Sequence, residues 1–121
     1  MSGNKGVLEE KSFLFALRIV KLYKWLGDTK NEYVLSKQVL RSGTAIGALL
    51  AEAQYAQTSK DFIHKLSISL KEANETIYWL ELLYKSDYIS KEMYESIYND
   101  NIEVLKLLIS SINTKRNKNE N

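Results

Sequence analysis

Residues 58–83, TSKDFIHKLSISLKEANETIYWLELL, decide the fold. Thr58 followed by Asp61 resembles a capping box: a side-chain oxygen accepts from an orphan amide, and an acidic group favours the positive end of the helix dipole. Ile63, Leu66, Leu70, Ala73, Ile77, Leu80 and Tyr84 then recur at spacings of three and four, which keeps one helical face toward a partner helix. Such a face is a packing seam and not a catalytic cleft. The opposite side, with Lys60, His64, Lys71, Asn74, Glu81 and Lys85, is polar and reads as solvent-facing.

Working outward, the same pattern appears three more times. A first helix is expected from about residue 9 or 12 to residue 26, with Phe15, Ile19, Leu22 and Leu26 as its stripe and Gly27 as a left-handed cap. A second is expected over residues 31–56, with Leu35, Val39, Ser42, Ile46, Leu49 and Ala53 in a four-three repeat. Gly43 and Gly47 lie one position off that seam, and their helix-propensity cost, about 1 kcal/mol each, calls for a close helix contact. Ser90 caps a fourth helix to about residue 113, with Ile89 placed to staple against Tyr94. Its seam is Tyr98, Ile102, Leu105, Ile109 and Ile112, with Met93, Ile97, Val104 and Leu107 as a second strip. The ending TKRNKNEN is polar throughout, so a disordered tail over residues 114–121 is expected after a single domain over residues 1–113.

Short turns between long helices force antiparallel neighbours, so the prediction is all-α, an up-down-up-down four-helix bundle. The absence of proline agrees with this, and 121 residues at 45% hydrophobic content support one core. Without cysteine the chain has no disulfide, thiolate metal site or cysteine nucleophile. No apolar run approaches the roughly 20 residues of a membrane span, and the start lacks a signal-peptide core, so a cytoplasmic protein with no membrane role is expected. Helices one and four carry wider apolar surfaces than one core covers, and self-association is the simplest use of the excess.

The segments FALRIVKLYKWL (15–26), LSKQVLRSGTAIGALLAEA (35–53) and SKDFIHKLSISLKEANETIYWLELL (59–83) together resemble the small bacterial four helix bundle protein family. That family includes proteins encoded in intervening sequences of large-subunit ribosomal RNA genes. The resemblance covers roughly residues 12–110. It implies an antiparallel bundle assembled as a ring-like homopentamer. It also implies distant kinship with the accessory protein of diversity-generating retroelements, which binds nucleic acid and a reverse transcriptase. Where the family reads RSGTSIGANIxEA this chain has RSGTAIGALLAEA, so Ala45 and Leu49 replace a serine and an asparagine. With Leu49 on the expected seam, a buried polar group of the family would here be a hydrocarbon.

Glu72 and Glu75 flank a strip with Ile68 and Trp79, and carboxylates in apolar company need a partner. Arg41 and Arg18 are the candidates, and inter-helix or inter-subunit ion pairs are a simpler reading than a metal or acid–base site. A di-metal bundle wants a Glu-x-x-His motif from each of two helices, and the chain has one histidine. No metal or other cofactor is expected. Neither a phosphate-binding glycine loop nor a hydrolase triad can be assembled, so the chain reads as a non-enzyme. Arg18, Lys21 and Lys24 on helix one, and Lys37 and Arg41 on helix two, are the candidate nucleic-acid contacts, with Lys115, Arg116 and Lys118 behind them. Trp25 beside Lys21 can stack a base or fill an interface. The net charge of +2 is balanced, but a ring multiplies a modest patch into a strong field for RNA or DNA. The other expected use of the surface is as a scaffold that recruits a protein partner.

Overall fold

The computed structural model describes residues 6–120. They form α1 (Val7–Lys30), α2 (Leu35–Ala53), α3 (Ser59–Lys85) and α4 (Lys91–Glu120), joined by short turns. Each helix packs on the next, and α1 closes on α4 less extensively, so α1 and α3 stand diagonally across the bundle. This is the expected up-down-up-down arrangement.

Helix starts follow local chemistry. Thr58 Oγ1 accepts from the Asp61 amide at 3.0 Å, and Ser90 Oγ accepts from the Met93 amide at 3.1 Å, so both caps form where the sequence places them. The α1–α2 turn differs from expectation. Helix α1 runs through Gly27 to Lys30, and Asn31 takes the left-handed conformation at φ 52°. Asparagine tolerates that region, and a Cβ at Gly27 would only touch the Tyr33 ring at 3.4 Å, an ordinary contact. Helix α2 starts at Leu35 rather than residue 31 because the buried Glu32 carboxylate takes up the amides of Val34, Leu35 and Ser36 at 3.1, 2.8 and 2.7 Å. Helix α4 continues to Glu120, past the expected helix end near residue 113. The segment has no proline or glycine to stop it, and Lys115 lies over the Phe62 ring at 5.3 Å from its centroid.

The core runs the length of the bundle through Phe15, Ile19, Leu22 and Leu26 of α1 and Val39, Ile46, Leu50 and Ala53 of α2. On α2 the buried position is Leu50, not Leu49, which is half-buried. Leu49 therefore does not put a hydrocarbon at the centre in place of a buried amide. On α3 the deepest line is Leu66, Ser69, Ala73, Thr76, Leu80 and Leu83, one position off the expected Leu70, Ile77 and Tyr84. On α4 it is Ile97, Asn101, Val104, Leu108 and Ile112, and Ile109 is 41% exposed. On α3 the small residues Ser69, Ala73 and Thr76 share this deepest line with Leu66, Leu80 and Leu83. The small polar groups are bonded there: Ser69 Oγ donates to the Ile46 carbonyl at 2.9 Å, and Thr76 Oγ1 lies 2.9 Å from Ser42 Oγ and 2.8 Å from the Glu72 carbonyl.

Asn101 is the exception. Its side-chain amide donates to the Ala73 carbonyl at 3.3 Å, while Oδ1 is buried without a partner. An unmet acceptor costs about 1–3 kcal/mol. Asn101→Leu, similar in volume, is therefore expected to raise the thermal midpoint by about 3–5 °C, near 1 kcal/mol. A lowered midpoint in calorimetry would show instead that the amide holds α4 in register.

Candidate functional site

The sequence directs attention to the outer surfaces of α1, α2 and α3. On α2 and α3, Arg41 spans Glu72 and Glu75: one guanidinium nitrogen is 3.2 Å from Glu72 Oε1, and the other bonds Glu75 Oε2. Trp79 Nε1 donates to the same Glu75 oxygen at 3.0 Å. The helical spacing of three between the two glutamates sets both carboxylates toward α2, and Trp79, one turn on, closes the far side. The hydrogen bond from Trp79, joined by Arg41, holds the Glu75 carboxyl below its usual range against the opposing effect of burial. The bond from Glu75, helped by the charge of Glu72, raises Arg41 despite partial burial. With Arg41 half exposed, this network contributes about 0–1 kcal/mol, and its carboxylates are already occupied. Among the described residues no His, Cys, Asp and Glu gather in a group able to hold a metal ion.

Arg18, the other partner considered for these glutamates, goes elsewhere. It bonds Asp100 Oδ2 at 2.7 Å and both the carbonyl and Oγ of Ser96, all on α4. Lys21 and Lys24 stand exposed on the outward face of α1, and Lys37 is exposed on α2. None of the three makes an ion pair among the described residues, whereas Arg18 and Arg41 do. The structure therefore splits the candidate cations into two that are neutralised and three that are not.

Trp25 is half-buried against the core, with the Lys30 ammonium 5.6 Å from its ring centroid, so it packs more than it presents a stacking face. Tyr78 meets Trp79 edge-on at 5.0 Å. A recess of about 290 Å³ opens at the α2–α3 turn between Gln54, Gln57, Phe62 and Lys115. Its lining has no carboxylate, histidine or cysteine, and so no acid–base pair. No helix of the described residues is long and apolar enough to cross a membrane.

Sequence reasoning missed the polar groups of the interior, Glu32, Ser69, Thr76 and Asn101.

The outer face of α1 is the remaining feature. Phe13, Leu14 and Leu17 are 56%, 56% and 47% exposed, on the side opposite the buried line Phe15–Ile19–Leu22.

Comparison with known proteins adds the following. Residues 7–110 match the family of the 23S rRNA-intervening sequence protein. The chain is also similar to a crystal structure of a protein of unknown function from the S23 ribosomal protein family, from Bacteroides thetaiotaomicron VPI-5482. The two share 60% sequence identity at a TM-score of 0.87, over 88% of this chain and 98% of that one. A comparison with curated proteins gives no match.

Proposed function

The chain belongs to the 23S rRNA-intervening sequence protein family, and from that premise we propose a non-catalytic, cytoplasmic, oligomeric bundle that binds structured RNA. A homopentamer is the favoured assembly. The observation that carries this reading is the exposed apolar face of α1, with Leu14 and Leu17 outside the core. Covering those side chains removes apolar area from water at about 25 cal/mol per Å², and a second copy presents the same face. Assembly then multiplies a net charge of +2 into a field able to hold a polyanion.

Two measurements test the reading. Light scattering of the purified chain is expected to give an oligomer, and Leu14→Glu with Leu17→Glu to give a monomer of unchanged helicity; a wild-type monomer removes the assembly. In a mobility shift, ribosomal RNA fragments are expected to bind at low salt and to dissociate steeply as salt rises, because phosphate contacts release counterions. No retention at 50 mM salt removes the RNA.

A further inference from the structure

The ion pairs of the bundle leave a group of exposed cations on α3 and α4 that make no ion pair among the described residues. On α3, Lys60 and Lys71 are exposed on the side opposite the buried line Leu66–Ser69–Ala73. They point away from α2, which meets α3 through Glu72 and Glu75, and away from α4, which meets it through Tyr84. On α4, Arg116 is exposed on the flank next to α3, and Lys106 is exposed on the side opposite the buried line Ile97–Asn101–Val104–Leu108. The other flank of α4 is taken by Ser96, Asp100 and Glu103, bonded to Arg18 and Lys11 of α1.

The register brings the four together. Asn101 bonds the Ala73 carbonyl and Lys115 lies over Phe62, so in the antiparallel pair Lys60 is level with Arg116 and Lys71 with Lys106. The two positions on each helix are about 15–16 Å apart along the axis. Glu103, one turn before Lys106, bonds Lys11. Glu52 bonds Lys65, and the charge of Asp61 acts on that same lysine. Glu81 and Glu95 lie beside Tyr94, toward the other end of the bundle.

We propose that Lys60, Lys71, Lys106 and Arg116 form the surface that grips the phosphodiester backbone of a structured RNA. This rests on the RNA-binding reading above and moves the contact from α1 and α2 to α3 and α4. The geometry is compatible with assembly. Because α1 and α3 stand diagonally, copies joined through Leu14 and Leu17 turn this face outward, once per copy.

The test is fluorescence polarisation of the full chain with a labelled RNA hairpin, its DNA counterpart and polyglutamate. The variant K60Q/K71Q/K106Q/R116Q is compared with K21Q/K24Q/K37Q, and circular dichroism checks that each is folded. Removing four phosphate contacts is expected to lower hairpin affinity roughly 100-fold at 50 mM salt and to flatten the log–log salt slope by about 3, with the pair K60Q/K71Q intermediate. The reverse pattern, with the α1 and α2 variant losing binding and the other keeping it, overturns this face while leaving RNA binding intact. A wild-type chain that binds no RNA overturns both. Polyglutamate bound as tightly as the hairpin makes the surface one for acidic protein, and DNA bound in preference to RNA overturns the RNA assignment.

Discussion

Gly43→Leu is expected to destabilise the bundle by about 3 kcal/mol and to lower its thermal midpoint by roughly 10 °C. Gly43 is buried on the side of α2 that faces α1. A Cβ there would stand 2.8 Å from Ile19 Cγ1 and 2.9 Å from Ile19 Cγ2. These are the inner atoms of a β-branched side chain that is 0% exposed, so it has no free rotamer in which to make way. Alanine regains about 1 kcal/mol of helix propensity at this position but meets the same clash, so Gly43→Ala also loses stability. Gly47, one turn on, is the internal control. Its Cβ would meet the Ser12 carbonyl at 3.4 Å, an ordinary contact, and Gly47→Ala is expected to be neutral or up to about 1 kcal/mol stabilising. Urea unfolding of the three variants decides it. A Gly43→Leu midpoint within error of wild type would mean that α1 and α2 are not held at this distance, and the account of their contact would fail.

The two glycines also show what a sequence can say about packing. Their cost announces a close approach, but the partner, Ile19 in one case and the Ser12 backbone in the other, comes only from the fold. The same limit explains the shifted seams. Hydropathy ranks Leu70 and Ile77 above Ser69 and Thr76, whereas depth in a bundle is set by where backbones approach. Asn101 was legible by position, falling four after Ile97 and three before Val104 on the second apolar strip, but its polarity masks its depth. Caps are legible because their chemistry is local. Gly27 misleads because a propensity for the left-handed region is permission and not obligation, and Asn31 uses it instead.

Of the candidate site, the short-range part was legible. Glu72 and Glu75 in apolar company called for a cation, and Arg41 supplies it. The partner of Arg18 lies 82 positions later, on a helix whose flank toward α1 cannot be assigned from periodicity alone. Charge counting therefore overrates Arg18 and Arg41 as phosphate contacts, since a cation held by a carboxylate must give up that bond before it binds another anion. Lys60 and Lys71 were visible as a polar stripe. What was not visible is that the register of α4 sets Lys106 and Arg116 level with them.

Glu32→Ala is expected to cost about 2–4 kcal/mol, far more than its place in a surface turn suggests. The carboxylate is 6% exposed and accepts from three successive amides that would otherwise be orphans at the start of α2, and Ser36 Oγ donates back to the Glu32 carbonyl at 3.0 Å. Truncation leaves those donors without their acceptor in a half-dry site, while Glu32→Gln keeps one acceptor oxygen, removes the charge and falls between. The same site sets a pH dependence. Burial pushes the Glu32 carboxyl up, but the amides of Leu35, Ser36 and Val34 with the Ser36 hydroxyl outweigh it and hold the folded-state pKa below the ordinary value. A carboxylate depressed in the folded state contributes stability that is complete above its unfolded pKa, near 4.3, and is lost as pH falls toward the folded value. Wild type should thus lose stability below about pH 4 more steeply than Glu32→Gln, with the two curves converging in acid. Parallel curves from pH 7 to pH 3 would show that the charge contributes nothing and that the cap acts only as an acceptor. The turn would then owe its shape to Asn31 and the Tyr33 ring rather than to an anion at the positive end of α2.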